Sequence, residues 1–463
     1  MRISASNCDT THGGRRRAAI CAGLLCCLLS GPSTAADGAA IEVVSPKGLR
    51  IWLVEEHGAP VVTLGFRFAG GSAQDPAGKE GTASFDAQMF LGGGGALAAD
   101  AYLAEWSKTG SEINVEARLE SIRGTVRVLT PDLGKAVDLL ALAVNAPRFD
   151  RDAIEQVRDQ LTADFDRNAS NPESAAYLTY DREGYDGHPR GRPVGGTRAG
   201  LASITAAGLI DYRERVLTRD GLTLSAVGDI SAKDIGAVVD RVFSELPLHG
   251  SRRAVPPPPA SSAKRIDLDL KSGEAAVVFG VSLPGLGERE RLAAELLNYS
   301  FGGSAFTSRL YHSVREQRGL AYAIGTTFDR FSFMSEVSGS FNSSPATVEQ
   351  AIGLVRAEFE RLSADPPSDA EVEEAKAALA GDYLRGLIRQ ADMANELTLR
   401  MAEGARPDCI ETHAAQLAAI APREVRGLAR AIAWQSRLVI VTAGAPPASG
   451  GRSRLQPSAA KQP

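Results

Sequence analysis

Arg315 and Tyr322 are the residues of this chain whose types and spacing suit them to act together on a polar substrate. A guanidinium is a planar fork of donors that matches a carboxylate or a backbone carbonyl. A phenol is neutral at working pH and donates one hydrogen bond, which lowers a barrier wherever negative charge grows on a carbonyl oxygen. Both lie in the stretch from Phe301 to Ile324, FGGSAFTSRLYHSVREQRGLAYAI. Gly302, Gly303 and Ser304 can end one element and cap the next. Phe306, Leu310 and Val314 recur at helical spacing with Tyr311 beside them, and Gly319 offers a left-handed stop. Leu320, Tyr322 and Ile324 then alternate as a strand does. This places Arg315 in the last turn of a helix and Tyr322 on the strand that follows. Taken singly, the two residues also read as a solvated Arg and a core Tyr.

The block as a whole, with S-R-L ahead of Arg315 and R-G-L-A-Y behind it, resembles the second-half signature of the pitrilysin/insulinase family. These are the inverzincin metallopeptidases, which include the mitochondrial processing peptidase. The resemblance implies that Arg315 and Tyr322 reach across a cavity to a substrate bound at the zinc of the other half. It also implies a His-x-x-Glu-His motif on a helix of the first half. Positions four apart share a helix face, so two imidazoles can hold one zinc while the Glu reaches a bound water, and a Glu from a later helix completes the set. The matching segment is Lys79 to Met89, KEGTASFDAQM, and its frame of Gly81, Ala83, Phe85 and Met89 is similar to the family's. The first His position holds Ser84, the Glu position Ala87 and the second His position Gln88, while the distant Glu falls on Asp164. Ser and Gln are poor zinc ligands and Ala cannot activate water. His57, His188, His249, His312 and His413 are scattered without ligand spacing and supply no replacement. No metal is therefore expected in this chain, and Asp164 is left as a surface or cavity carboxylate.

These residues need a scaffold, and a chain of 463 residues is long enough for two or three domains. Charged residues at 23% and hydrophobics at 44% are globular values. The net charge of -5 gives no sign of a polyanion partner or a nucleic-acid groove. Arg15, Arg16 and Arg17 precede the apolar run Ala18 to Leu29, and Ser33-Thr34-Ala35 supplies small residues for cleavage, so residues 1–35 read as a signal peptide. The run is too short for a permanent span. Export to a bacterial periplasm follows, by the general secretory route in preference to the twin-arginine one. Cys8, Cys21, Cys26 and Cys27 leave with that segment, so Cys409 alone remains, with no internal disulfide or thiolate cluster, and reads as a buried inert thiol.

Along the mature chain the elements come in the same order twice, which suggests an internal duplication. Residues 41–249 form the first family domain and residues 263–445 the second. Between them, residues 250–262 are a linker with four prolines from Pro256 to Pro259, and residues 446–463 are a disordered tail. Each domain is α+β, a mainly antiparallel sheet packed with helices, and by the resemblance the two together make half of the family's four-domain clamshell. Gly92 to Gly95 lacks the residues of a phosphate loop and reads as a hinge. His188, in a Gly/Arg/Pro-rich loop, reads as solvated.

In heterodimeric members of the family one subunit carries the zinc motif and the other the Arg/Tyr pair. The resemblance thus implies a non-catalytic subunit of an exported heterodimeric zinc metallopeptidase. Arg315 and Tyr322 would serve a homologous, zinc-bearing partner chain. Substrates would be peptides or small unfolded proteins, added as a strand on a sheet edge that falls near Asn114-Val115. A stand-alone peptide-binding or scaffold protein is the alternative. A hydrolase with its own nucleophile has no triad spacing to support it.

Overall fold

The computed structural model describes residues 38–270, 272–283 and 285–444, together with the backbone of Arg454–Leu455. The expected signal peptide, and the tail apart from that dipeptide, lie outside the described residues.

Alternation sets the strands. In Val61–Ala69, the side chains of Val62, Leu64, Phe66 and Phe68 go to one buried cluster, so every second residue faces the core. The first sheet is built from β1 (Ile41–Val44), β2 (Arg50–Glu55), β3 (Val61–Ala69), β6 (Glu112–Ala117), β7 (Ser121–Leu129) and β8 (Leu222–Gly228), in the order β1-β2-β8-β3-β7-β6. The glycine run expected to be a hinge instead forms a small hairpin of β4 (Gly93–Gly94) and β5 (Leu97–Ala98). Gly93 and Gly95 take positive φ there, and a Cβ on Gly93 would come within 2.8 Å of the Leu97 carbonyl oxygen, so tight packing explains the glycines. The second sheet is built from β9 (Lys264–Leu268), β10 (Ala275–Leu283), β11 (Ile324–Arg330), β12 (Ser335–Ser343), β13 (Val439–Ala443) and β14 (Arg454–Leu455), in the order β11-β12-β10-β13-β9-β14.

The two sheets repeat each other pair by pair. β2 runs parallel to β8 as β9 does to β13, and β3 lies antiparallel to both β8 and β7 as β10 does to β13 and β12. β6 and β11 then close corresponding outer edges. The chain is thus a duplicated α+β fold.

One face of each sheet packs on helices of its own half. The other face is covered by a helix from the opposite half. Helix Gln390–Ala402 lies on β3 and β8, where Ser225 Oγ donates to the Ala394 carbonyl at 2.8 Å and Thr223 Oγ1 to that of Thr398 at 3.0 Å. Reciprocally, helix Pro172–Gly184 lies on β10 and β13. Close approach is allowed by Gly65 and Gly280. A Cβ on Gly65 would stand 3.1 Å from that of Ala394, and one on Gly280 would stand 2.2 Å from the Tyr180 hydroxyl.

A buried polar knot ties the second exchange. Glu336 of β12, fully buried, accepts from the Tyr180 and Tyr185 hydroxyls at 2.6 Å each and from Arg190 at 3.0 Å. Arg190 also pairs with Asp181 at 2.7 Å. Burial pushes the Asp181 carboxyl up to about 6, with Arg190 opposing the shift. His188 is buried, not solvated. Its Nε2 lies 2.8 Å from the Pro256 carbonyl oxygen and its ring 5.1 Å from that of Phe333, so the proline-rich segment and the second half together cover it.

Candidate functional site

Arg315 and Tyr322 come together, by a path different from the one expected. Helix Glu288–Asn298 runs on into a π-helical turn, Tyr299–Gly303, and a second π-helical turn spans Tyr311–Glu316. Such wide turns replace a regular capped helix here, and π-turns often mark functional sites. Phe306, expected on the buried face, is 68% exposed. Gly319, at φ 62°, turns the chain, and Leu320, Ala321 and Ile324 are buried while Tyr322 faces out, 86% exposed. Tyr322 sits on a bend two residues before β11 instead of on the strand, and it is not a core residue.

The Arg315 guanidinium lies between two phenol rings, 4.9 Å from the centre of Tyr311 and 5.4 Å from that of Tyr322. It also donates to the Tyr311 hydroxyl. Phe306 meets Tyr311 edge to face at 5.6 Å. Among the described residues no carboxylate pairs with the half-buried Arg315, while Tyr322 stands open to solvent. The sequence named Tyr311 without a role. Its spacing of four from Arg315 was the available signal, since i and i+4 meet on a helical face.

The metal-frame positions also converge. Ser84, Ala87 and Gln88 on helix Thr82–Met89, and Asp164 on helix Arg151–Ser170, line one cleft of about 610 Å³. Phe85 and Met89 pack with Ile154 and Leu161 to hold the two helices together. The Ser84 and Asp164 side chains are already engaged. Ser84 Oγ donates to the Val194 carbonyl at 2.7 Å, and the Asp164 carboxylate pairs with Arg167 one turn on. Ala87 offers no polar atom. Asp86, on the same helix, forms a buried pair with Arg213. Asp75 caps the helix, accepting from the amides of Gly81 at 2.8 Å and Ala83 at 2.9 Å, while burial pushes its carboxyl up to about 7. A hydroxyl, a methyl, an amide and an ion-paired carboxylate do not fit a zinc ion. Among the described residues no three of His, Cys, Asp and Glu are grouped to share one.

β6, which carries Asn114 and Val115, is the outer strand beside this cleft, and Glu116 and Ala117 line it.

Two family descriptions match this chain. Insulinase (Peptidase family M16) covers residues 50–198, and Peptidase M16 inactive domain covers residues 203–379. The chain belongs to the insulinase family of peptidases, M16. The first match contains Ser84, Ala87, Gln88 and Asp164, and the second contains Arg315 and Tyr322. M16 relatives include an uncharacterised zinc protease of Mycobacterium leprae, 28% identical over 352 residues, covering 74% of this chain and 78% of that protein. Another, from Mycobacterium bovis, is 26% identical over 392 residues, covering 83% and 89%. Among solved structures, an M16 inactive domain from Pseudomonas fluorescens superposes with a TM-score of 0.82 at 22% identity, over 89% of this chain and all of that one. An M16-like peptidase from Alicyclobacillus acidocaldarius gives 0.75 at 15% identity, over 89% and 99%. Both structures share the M16 half-clamshell fold.

Among the described residues of this M16 chain no nucleophilic thiol site assembles. Cys409 is buried, and burial pushes its thiol up to about 11, which keeps it protonated and weakly nucleophilic. His413, also buried, stacks on Tyr383 at 4.0 Å, and burial lowers it to about 4.

Proposed function

We propose that this M16 chain is the non-catalytic subunit of an exported heterodimeric zinc metallopeptidase and that Arg315 and Tyr322 complete the active site of a separate zinc-bearing chain. The observation that carries the reading is a contrast of polar groups. Ser84 bonds to the Val194 carbonyl and Asp164 pairs with Arg167, whereas Arg315 is held between two phenol rings without a carboxylate partner among the described residues and Tyr322 projects into solvent beside it. In this reading the zinc belongs to the partner, and this chain holds none.

The Tyr322 phenol donates to the carbonyl oxygen of the scissile peptide as that oxygen gains charge, and stabilises it. Arg315 grips a neighbouring backbone carbonyl or carboxylate of the substrate. Tyr311 acts as a positioning residue, holding the guanidinium against its ring and through its hydroxyl. A peptide or small unfolded protein lies extended, added to the edge strand β6 near Asn114 and Val115. Export rests on the basic-then-apolar segment before residue 36.

The test is a purification of the native chain with its partners, followed by a peptidase assay on the complex. A zinc-bearing M16 chain in the complex, with chelator-sensitive cleavage that needs both chains, supports the reading. About one tightly held zinc per chain in the protein alone, with activity, sinks it. A stand-alone peptide-binding protein is the second reading, favoured by the open edges of β6 and β11. Peptide capture with no associated peptidase would select it.

A further inference from the structure

Helix Cys409–Ala418 forms one wall of a further cavity, of about 780 Å³. Its other walls are the start of helix Glu288–Asn298 and the end of helix Gln390–Ala402 with the loop that follows. No residue of the Ser84 cleft or of the Arg315–Tyr322 cluster lines it. The charged side chains on its walls are answered within the chain. Glu288 pairs with Arg330 at 2.6 Å, Glu403 with Arg400 at 3.1 Å and Asp408 with Arg406 at 3.4 Å. Arg289 pairs with Glu424. The Thr412 hydroxyl donates to the Asp408 carbonyl at 2.7 Å and accepts from Gln416 at 3.4 Å.

Two groups on these walls are left over. Cys409 is a free thiol, and the His413 ring nitrogens make no hydrogen bond or ion pair among the described residues. The two residues are only 8% and 4% exposed, and an unmet polar group is costly to bury. They stand four residues apart on one helix, and such positions share a face. Tyr383 stacks on the His413 ring at 4.0 Å and fixes its plane where a hydrogen bond would otherwise do so. Burial keeps that ring neutral, with a lone pair free to bind a metal.

The number and softness of these ligands select the ion. Sulfur suits Cu(I) and zinc, and imidazole suits both. Zinc takes four ligands in a structural site, and the carboxylates lining this cavity are already paired with arginines. Cu(I), a soft ion with a filled d shell, is satisfied by two ligands. Charge points the same way. A Cu(I) ion in place of the thiol proton leaves the charge of the cavity unchanged, whereas Zn(II) would add a positive charge beside Arg400 on the same wall.

We propose that Cys409 and His413 bind one Cu(I) ion in this cavity, through Sγ and one ring nitrogen. The Sγ–Cu bond forms as the S–H bond breaks, the proton leaves to solvent, and copper stays in the +1 state. Leu292, Ala405 and Ala419 line the cavity with apolar surface, and its open side gives the ion a path in. The site goes beyond the peptidase reading and shares no residue with it, so either can fail without the other.

The experiment is a competition for Cu(I) against the chromogenic chelator bicinchoninate, without oxygen. It uses the full chain carrying Cys8→Ser, Cys21→Ser, Cys26→Ser and Cys27→Ser, so that Cys409 is its one thiol. One equivalent of copper should pass to the protein. Loss of an outer-shell partner costs a metal site about 10–100-fold, so loss of a ligand in Cys409→Ser or His413→Phe should weaken uptake by about 100-fold or more. Phenylalanine keeps a ring to stack on Tyr383, and an unchanged far-UV spectrum checks the fold of each variant. X-ray absorption at the copper edge needs no variant at the site and should report one sulfur and one imidazole nitrogen. An excess of Zn(II) should displace no copper. Absence of copper uptake overturns the proposal, as does displacement by zinc. Uptake that survives His413→Phe would mean capture by the thiol alone, and two sulfurs on the copper would mean a bridge between two chains. Either result overturns it as well.

Discussion

The two halves of this chain share one architecture and treat their chemistry in opposite ways. In the first half, the helix Thr82–Met89 keeps its place, its Asp75 cap and its packing on Ile154 and Leu161, while Ser84 bonds to Val194 and Asp86 pairs with Arg213. There the Ser84 hydroxyl and the Asp86 carboxylate answer groups of the same chain. In the second half, Arg315 is clamped between rings but lacks a carboxylate among the described residues, and Tyr322 projects into solvent. An arginine held in place without a counter-charge, beside an outward phenol, is the better sign of function. A family frame can survive purely as a scaffold.

That contrast breaks first if the first half's polar residues carry activity. Asp86→Ala leaves the buried Arg213 without its counter-charge and should cost about 3–5 kcal/mol of stability. Denaturant titration measures this, and kcat of the complex, assayed well below melting, should stay within about twofold. The reverse pattern is expected for Tyr322→Phe, with stability unchanged within about 0.5 kcal/mol and kcat of the reconstituted complex down by about 10²-fold. Equal kcat values would reduce the second half to shape alone.

The reciprocal helix exchange sharpens the comparison through its two glycines. Gly280→Ala drives a methyl toward the Tyr180 hydroxyl, which is locked to Glu336, and should cost about 1–3 kcal/mol. Gly65→Ala meets the Ser225 hydroxyl at 2.4 Å, which can turn away only by giving up its bond to the Ala394 carbonyl, about 1 kcal/mol, and should cost less. Chemical denaturation of both variants ranks them, and the opposite order would mean that the first exchange is the tighter one.

Acid should find the second half through His413, which burial lowers to about 4 from an unfolded value of 6.5. Between those values the folded state binds fewer protons than the unfolded chain. Its contribution is therefore whole above about 6.5 and is lost as pH falls toward 4. Asp75 and Asp181 act in the opposite sense. Their folded values, raised to about 7 and about 6, make stability fall as pH rises from 3.8 through those values. The difference between wild type and His413→Phe isolates the histidine. It should shrink the stability lost between pH 7 and 4.5 by about 1–3 kcal/mol, read from denaturation midpoints. The smallest effect expected is that of Ser84→Ala, about 1 kcal/mol for one hydrogen bond, with no change in activity. A tenfold loss of kcat there would return the first half to the reaction.

The sequence by itself determined the duplication, the alternation of the central strands and the identities at the metal-frame positions. It also placed Arg315 and Tyr322 in one short block. These are legible because strand period, turn residues and side-chain chemistry are properties of neighbours along the chain. The tertiary structure alone decided which faces were covered. Tyr322 alternates with Leu320 and Ile324 as a strand residue would, yet no layer lies over it, and the strand starts only at Ile324. His188 sits in a loop that reads as solvated, and Phe333 and Pro256, both distant in sequence, bury it. Gly65 and Gly280 lie within apolar strands, and only the helices from the opposite halves packed against them account for the missing side chains. Burial is set by partners hundreds of residues away, and no local period of 2.0 or 3.6 carries that information.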